Sequence, residues 1–302
     1  MRKIMEPVIL LVRSMRIHQW VKNVFIFAPM VFSLHKFQLD FLNIKNNFLA
    51  FFLFSLVTGC IYVFNDCFDK KKDRLHPDKK KRPIASGDLS IVTAAILAGT
   101  ILLLSLAAIF FFHLSFFYIS IIYIVLNGVY SSLLKKIVIL DVMVIAVGFV
   151  LRIQIGGVIN HIQLSPWILI ITFLLAIFLG LIKRRQELVK INEAVTSGSA
   201  EIGTRITLKK YNLSLLDQLI SITTGTTLIS YIIYVVNPDI QQKFHTKYLY
   251  LTVPFVVFGI FRYLYLTYVK GKGESPAEII FSDIPFTANA IIWVVVFILL
   301  II

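Results

Sequence analysis

The chain has 302 residues, 58% of them hydrophobic, an apolar share well above that of a soluble domain. Each bilayer crossing takes roughly 20 apolar residues, so this composition covers eight or nine crossings and excludes a soluble globular enzyme. Lysine and arginine total 30 against 16 aspartate and glutamate, a net charge of +14, yet the charges bunch between apolar runs. That pattern speaks for membrane topology and anionic substrates, not for nucleic acid.

Arg2 to Pro7 offers no signal-peptide core of adequate length, so the first span is expected to stay as an uncleaved anchor. Apolar runs able to cross occur at about 24–35, 47–65, 90–112, 115–131, 138–157, 165–182, 214–236, 247–269 and 284–302, nine helices in all. The first is short unless it begins near Trp20. Counting basic residues by loop puts 24 on one side and only Lys36, Lys45, Lys243 and Lys247 on the other, leaving Arg152 and Arg262 inside spans. The positive-inside rule then sets the N-terminus in the cytoplasm and the C-terminus outside. With no repeat and no polar linker, the expected fold is one all-α polytopic domain over residues 1–302 in a cell membrane. Cys60 and Cys67 share one helix and cannot form a disulfide. His113, His161 and His245 fall at external ends as surface residues, and Trp20 and Trp167 suit interfacial belts.

Two cytoplasmic stretches, Cys67–Ser90 and Lys183–Asn212, are too long and charged for plain connectors. The second span runs into Asn65-Asp66-Cys67-Phe68-Asp69-Lys70-Lys71-Lys72-Asp73-Arg74. At 100° per residue its three carboxylates lie within about 60° on one helical face. Hard divalent cations take carboxylate oxygens while keeping waters and substrate phosphates, so such a face suits a diphosphate–metal site with Asp66, Asp69 and Asp73 as ligands. Asp66 and Asp73 sit about 10 Å apart along the axis, which calls for two ions or an unwound last turn. The carboxylates alone equally fit a solvated helix end. The basic run immediately after them, Arg74, His76, Lys79, Lys80, Lys81 and Arg82, shifts the balance, because metal and cations together neutralise a departing diphosphate.

Asn65-Asp66-x-x-Asp69-x-x-x-Asp73, then His76-Pro77 and Arg82-Pro83-Ile84-Ala85-Ser86-Gly87, resembles the first aspartate-rich motif of the UbiA superfamily of intramembrane prenyltransferases. Further stretches are similar to its decaprenyl-phosphate phosphoribosyltransferase branch: Arg16-x-His18-Gln19-Trp20-Val21-Lys22-Asn23, Ile139-Leu140-Asp141-Val142 with Gly148-Phe149-Val150-Leu151-Arg152, Lys183-Arg184-Arg185-x-Glu187-Leu188, Leu216-Asp217-Gln218 and Gly259-Ile260-Phe261-Arg262-Tyr263. The resemblance implies nine helices around a central cavity open to the cytoplasm. It also implies Mg²⁺, with Mn²⁺ as the other candidate, and two substrates, phosphoribosyl pyrophosphate and a polyprenyl phosphate.

Typical members carry a second aspartate-rich motif where this chain has Lys183-Arg184-Arg185-Gln186-Glu187-Leu188. Lys183, Glu187 and Lys190 share one face, read either as a positive-inside cap with a Lys–Glu pair or as a phosphate cradle with one carboxylate. Exchange of acid for base fits two anionic substrates better than one prenyl diphosphate and a neutral acceptor. Asp141 and Arg152 differ by only about 20° around their helix. An arginine at mid-bilayer costs at least about 2.5 kcal/mol, so Arg152 should face a polar cavity or pair with another helix. Gly156-Gly157 would allow close helix approach there, whereas Arg262 can snorkel. Asp66, Asp69, Asp73 and Glu187 are therefore the expected catalytic residues. Lys22, Asn23, Asn65, Arg74, Lys79, Arg82, Lys135, Asp141, Arg152, Lys183 and Arg184 are the expected substrate ligands. Rival readings are prenyl transfer to a small acceptor and an anionic-lipid transporter; the latter suits neither the loop-bound charges nor the lack of an inverted repeat.

Overall fold

The apolar runs fold as long α-helices, which satisfy every backbone N–H and C=O without water. A computed structural model describes residues 2–31, 41–76, 79–196, 208–273, 279 and 282–301. An amphipathic helix, α1 (Arg2–Ser14), precedes the first apolar run, and α2 (Ala28–Val31) lies within it. Then come α3 (Phe41–Asp73), the single turn α4 (Pro83–Ser86), α5 (Ile91–Phe112), α6 (Leu114–Ser132), α7 (Leu140–Ile159) and α8 (Pro166–Thr196). The chain finishes with α9 (Leu213–Val236), α10 (Pro238–Phe244), α11 (Val253–Tyr268) and α12 (Ile284–Ile301). Eight helices among the described residues are long and apolar enough to cross a membrane, matching the second to ninth predicted spans. Lys36, Pro77 and positions 197–207 of the second charged stretch lie outside the described residues. The first half of that stretch, from Lys183 to Thr196, is a continuation of α8.

The first predicted span takes a different form. From Arg16, whose backbone is left-handed at φ 53°, the chain runs as a 3₁₀ helix over Ile17–Phe27 and passes into α2. At rises of about 2.0 Å for 3₁₀ and 1.5 Å for α residues, Ile17–Val31 extends about 28 Å, close to the hydrocarbon thickness. The segment lies antiparallel to α3. Arg16 reaches Asp66, Asn23 bonds Ser55 and Thr58 at 2.9 and 3.2 Å, and the Phe27 ring meets those of Phe48 and Phe51. Its burial repeats every three residues, as 3₁₀ geometry requires. Asn23, Ile26 and Pro29 are buried, His18, Val21 and Val24 are exposed, and Gln19, Lys22, Phe25 and Ala28 form a third, half-buried row.

Helix α7 sits at the centre. Its Ile155 and Ile159 join Ile26, Phe54, Ile109 and Phe116 in the core of the N-terminal half. Its Val142 joins Phe178, Leu216, Ile220 and Ile260 in the core of the C-terminal half. Close approach depends on glycine, as the sequence suggests: a methyl on Gly156 would collide with the carbonyl of Ile26, and one on Gly157 would lie 2.9 Å from Leu164. Near the same end, Asn47 and Asn160 exchange amide bonds at 2.7 and 3.0 Å, an interhelical clasp of the kind membrane helices favour. Outer faces are apolar and exposed, as at Phe111, Leu103 and Leu299, where lipid would lie.

Candidate active site

The last two turns of α3 carry the three aspartates. Asp66 and Asp73 are almost wholly buried, at 3% and 5% exposure. Helical side chains lean toward the N-terminus, so Asp73 reaches back toward Asp66. Both meet one nitrogen: Arg82 Nη1 donates to Asp66 Oδ1 at 3.0 Å and to Asp73 Oδ2 at 2.6 Å. The side chains thus close the gap of roughly 10 Å expected between their backbones. α3 stays helical to Asp73, and no unwound turn is needed. Arg16 pairs with the same Asp66 oxygen from the 3₁₀ side.

Arg82 is aimed by the Pro83-Ile84-Ala85-Ser86-Gly87 turn. Proline opens α4, the Arg82 carbonyl accepts from Ser86 N at 2.8 Å, and Gly87 ends the turn at φ 101°. Arg74 fastens the turn to α3 through Nε to the Ala85 carbonyl at 2.9 Å. Asp69 points aside, toward Lys135 Nζ at 3.2 Å, and Asn65 accepts from Ser131 at 2.7 Å, so the end of α6 closes this flank. Lys79 lies in the short 3₁₀ turn Lys79–Lys81 before Arg82. Among the described residues no three acidic, histidine or thiol groups converge on one point. Two carboxylates do, and they already hold a side-chain cation between them. Buried acidic oxygens facing a cation fit a hard divalent ion.

A second buried cluster joins α7 to α8. Asp141 is fully buried and accepts from Arg184 Nε and from the Tyr211 hydroxyl, each at 2.8 Å. Arg184 Nη1 also donates to Glu187 at 2.9 Å, so this arginine is turned inward and is not open to a surface cradle. Tyr211 in turn accepts from Ile139 N at 2.7 Å, securing a β-branched residue at the strained φ of 72°. Burial, with the Asp141 carboxylate beside it, pushes the Tyr211 phenol above its ordinary range. Asp141 and Arg152 share a helix face but not a partner. Arg152, 4% exposed, donates to Asn23 at 2.8 Å, the Gly148 carbonyl at 2.6 Å and Tyr123 at 2.9 Å, ringed by Phe54, Tyr123 and Phe149. The expected polar cavity is here a cage of neutral oxygens and aromatic faces. Lys22, beside Asn23, lies in the field of Lys183, Arg152 and Arg16.

Other expectations change. Arg262 forms a two-pronged pair with Asp283 at 3.1 and 2.9 Å, holding that carboxyl below its usual range while Asp283 caps α12 through Phe286 N. Its place is structural. Trp20 packs edge-on to Phe52 with its indole N–H buried and unpartnered among the described residues, which is not a belt position. His161 and His245 are exposed, but His113 turns its Nδ1 inward, unpartnered among the described residues, with its ring 5.8 Å from that of His161. Arg16, Ser131 and Tyr211 frame the two clusters and Tyr123 braces Arg152, without having stood out as site residues. Each sits on a different element from the group it serves, and no local spacing marks it.

The profile of the UbiA prenyltransferase family matches residues 26–282. The chain is 33% identical over 174 residues to the Sinorhizobium fredii protein "Uncharacterized protein y4nM", covering 58% of this chain but only 33% of that protein. Over 282 residues it is 27% identical to a protein of Mycolicibacterium smegmatis named decaprenyl-phosphate phosphoribosyltransferase, covering 90% of this chain and 86% of the relative. In fold it is similar to a UbiA homologue from Archaeoglobus fulgidus solved with DMAPP and Mg²⁺, with a TM-score of 0.67, 17% identity, and 96% and 98% of the two chains covered.

Proposed function

Because the chain belongs to the UbiA prenyltransferase family, we propose that it moves a 5-phosphoribosyl group from phosphoribosyl pyrophosphate to a long polyprenyl phosphate, releasing pyrophosphate. The observation that carries the choice of substrates is the state of α8. Where a second acidic motif is typical, Lys183-Arg184-Arg185 stands, and Arg184 is locked between Asp141 and Glu187. A site with one acidic face and a surplus of cations suits two phosphate-bearing substrates. The name of the Mycolicibacterium relative, which aligns with most of both chains, supports the same reading.

Asp66 and Asp73 would hold Mg²⁺, Mn²⁺ being the other hard cation of suitable chemistry, whereas Asp69, expected as a third ligand, faces Lys135. When bound, the ion would draw charge into the departing pyrophosphate. Arg82 is placed to exchange its carboxylate partners for phosphate oxygens, and Arg16, Arg74, Lys79 and Lys135 add positive charge around them. Asn65 fixes the α6 flank through Ser131. Glu187, bonded by Arg184, is the one carboxylate of this face, for metal, ribose hydroxyls or orientation of the cations. The attacking lipid phosphate has a second pKa near 6, so it is already largely ionised and needs no strong base, in keeping with a site built from aspartates and cations. Membrane insertion puts this face in the cytoplasm, since 24 of the lysines and arginines fall on that side.

Purified protein incubated with labelled phosphoribosyl pyrophosphate, Mg²⁺ and polyprenyl phosphate should yield a charged labelled lipid. Turnover only with a prenyl diphosphate and a small aromatic acceptor would overturn the assignment in favour of ordinary prenyl transfer.

A further inference from the structure

We propose that Tyr211 is a positioning residue for Glu187: by holding one oxygen of Asp141 it limits Arg184 to a single bond with that carboxylate, and so keeps the guanidinium turned to Glu187. The inference rests on the phosphoribosyl-transfer reading only for what Glu187 meets, since the line of bonds behind Glu187 stands apart from it.

Four side chains are joined in that line. The Ile139 N–H donates to the Tyr211 oxygen at 2.7 Å, which leaves the phenol's own proton for Asp141 Oδ1, 2.8 Å away. Asp141 Oδ2 accepts from Arg184 Nε at 2.8 Å, and Arg184 Nη1 donates to Glu187 Oε2 at 2.9 Å. Tyr211, Asp141 and Arg184 are buried, whereas the Glu187 side chain is 26% exposed. Glu187 is therefore the end of the line that a ligand can reach.

A guanidinium and a carboxylate favour two parallel bonds. Asp141 takes only one from Arg184, because the phenol holds its other oxygen. Without the hydroxyl, a fully buried acid oxygen would lose its donor, a loss that costs more than the bond itself was worth. Arg184 would turn to supply the second bond, and since its fork is a rigid plane the turn would carry Nη1 away from Glu187. Tyr211 is well fixed for this task. Its ring belongs to the apolar cluster of Val142, Phe178 and Leu216. A 3₁₀ turn over Leu208–Lys210 precedes it, and Asn212 follows it as the cap of α9, accepting from Leu215 N at 2.7 Å. The second charged stretch thus ends in a side chain that reaches back to both α7 and α8.

A double-mutant cycle on the full-length protein tests this, with turnover at saturating substrates and melting temperature as separate readouts. Tyr211→Phe should lower kcat about tenfold while KM for each substrate changes by less than about threefold, and Glu187→Gln should lower kcat at least as far. Beside Glu187→Gln, Tyr211→Phe should cost less than about a further twofold in kcat, because the carboxylate it positions is already gone. The fall in melting temperature, caused by the Ile139 N–H losing its acceptor, should be alike in both backgrounds. Should Tyr211→Phe not elute as a folded species, the same cycle is run with Ile139→Gly, since glycine adopts the φ of 72° without strain. An equal loss of kcat from Tyr211→Phe in the two backgrounds, or undiminished kcat in Glu187→Gln, would overturn the assignment and leave Tyr211 a structural clasp. Turnover of a prenyl diphosphate in place of phosphoribosyl pyrophosphate would instead overturn the reaction, and the same cycle run on that turnover would still decide the place of Tyr211.

Discussion

Replacing Asp66 or Asp73 by asparagine removes one negative charge from a pair that shares a single guanidinium nitrogen, while the neutral amide still fills the space. Turnover should fall by two orders of magnitude or more, as loss of a metal or phosphate-site contact costs several kcal/mol of transition-state stabilisation. The protein should still elute as a folded species, and chelator should abolish activity of the parent. Undiminished turnover of both variants in chelator would remove the metal from the site. His113, between α5 and α6, bears on stability instead. Burial first, and then His161, lower its pKa from 6.5, so the folded protein takes up this proton less readily than the unfolded chain. Stability therefore rises with pH through the window below that value and is lost on acidification. Melting temperature should drop between about pH 7 and pH 5, and His113→Phe should flatten the drop. At this scale the α3 aspartates were legible because one helix carries all three, whereas Asp141 and Arg184 meet across 43 residues of chain, a pairing no local spacing encodes.

Gly156 sets how near the 3₁₀ segment lies to α7. A methyl there strikes the Ile26 carbonyl and approaches Pro29 Cδ at 2.9 Å, and backbone cannot swing aside as a side chain can. Gly156→Ala should lower the melting temperature and cut activity together, since Asn23 and Arg152 lie on the same interface. Gly225→Ala, in α9 with open space around it, should be neutral or slightly stabilising by helix propensity. Equal effects of the two substitutions would mean that close approach at Gly156 is unimportant. The long helices followed directly from apolar run length, and α3 continues through the motif to Asp73, so that one helix carries all three aspartates. The first span did not follow. Its burial repeats at three residues, and polar Gln19, Lys22 and Asn23 interrupt the hydrophobic run, so neither a period of 3.6 nor a count of apolar residues reveals where it begins.

For the molecule as a whole, the uneven placement of basic residues predicts that cysteines introduced at Ser86 and at Gln242 label from opposite membrane faces, Ser86 from the cytoplasm. Labelling of both from one side would overturn the topology and with it the cytoplasmic site. The segment over Ile17–Phe27 presents three rows of side chains, one buried in the protein core, one exposed and one half-buried. Successive residues of a 3₁₀ helix are turned by a third of a revolution. Deleting one residue between Arg16 and Lys22 would therefore hand each row's place to its neighbour, and no partial slip could restore the match. Lys22 would leave its half-buried row for another face while Arg16 stayed tied to Asp66. This short segment should therefore tolerate exchange of one residue for another far better than any insertion or deletion, a constraint on length itself.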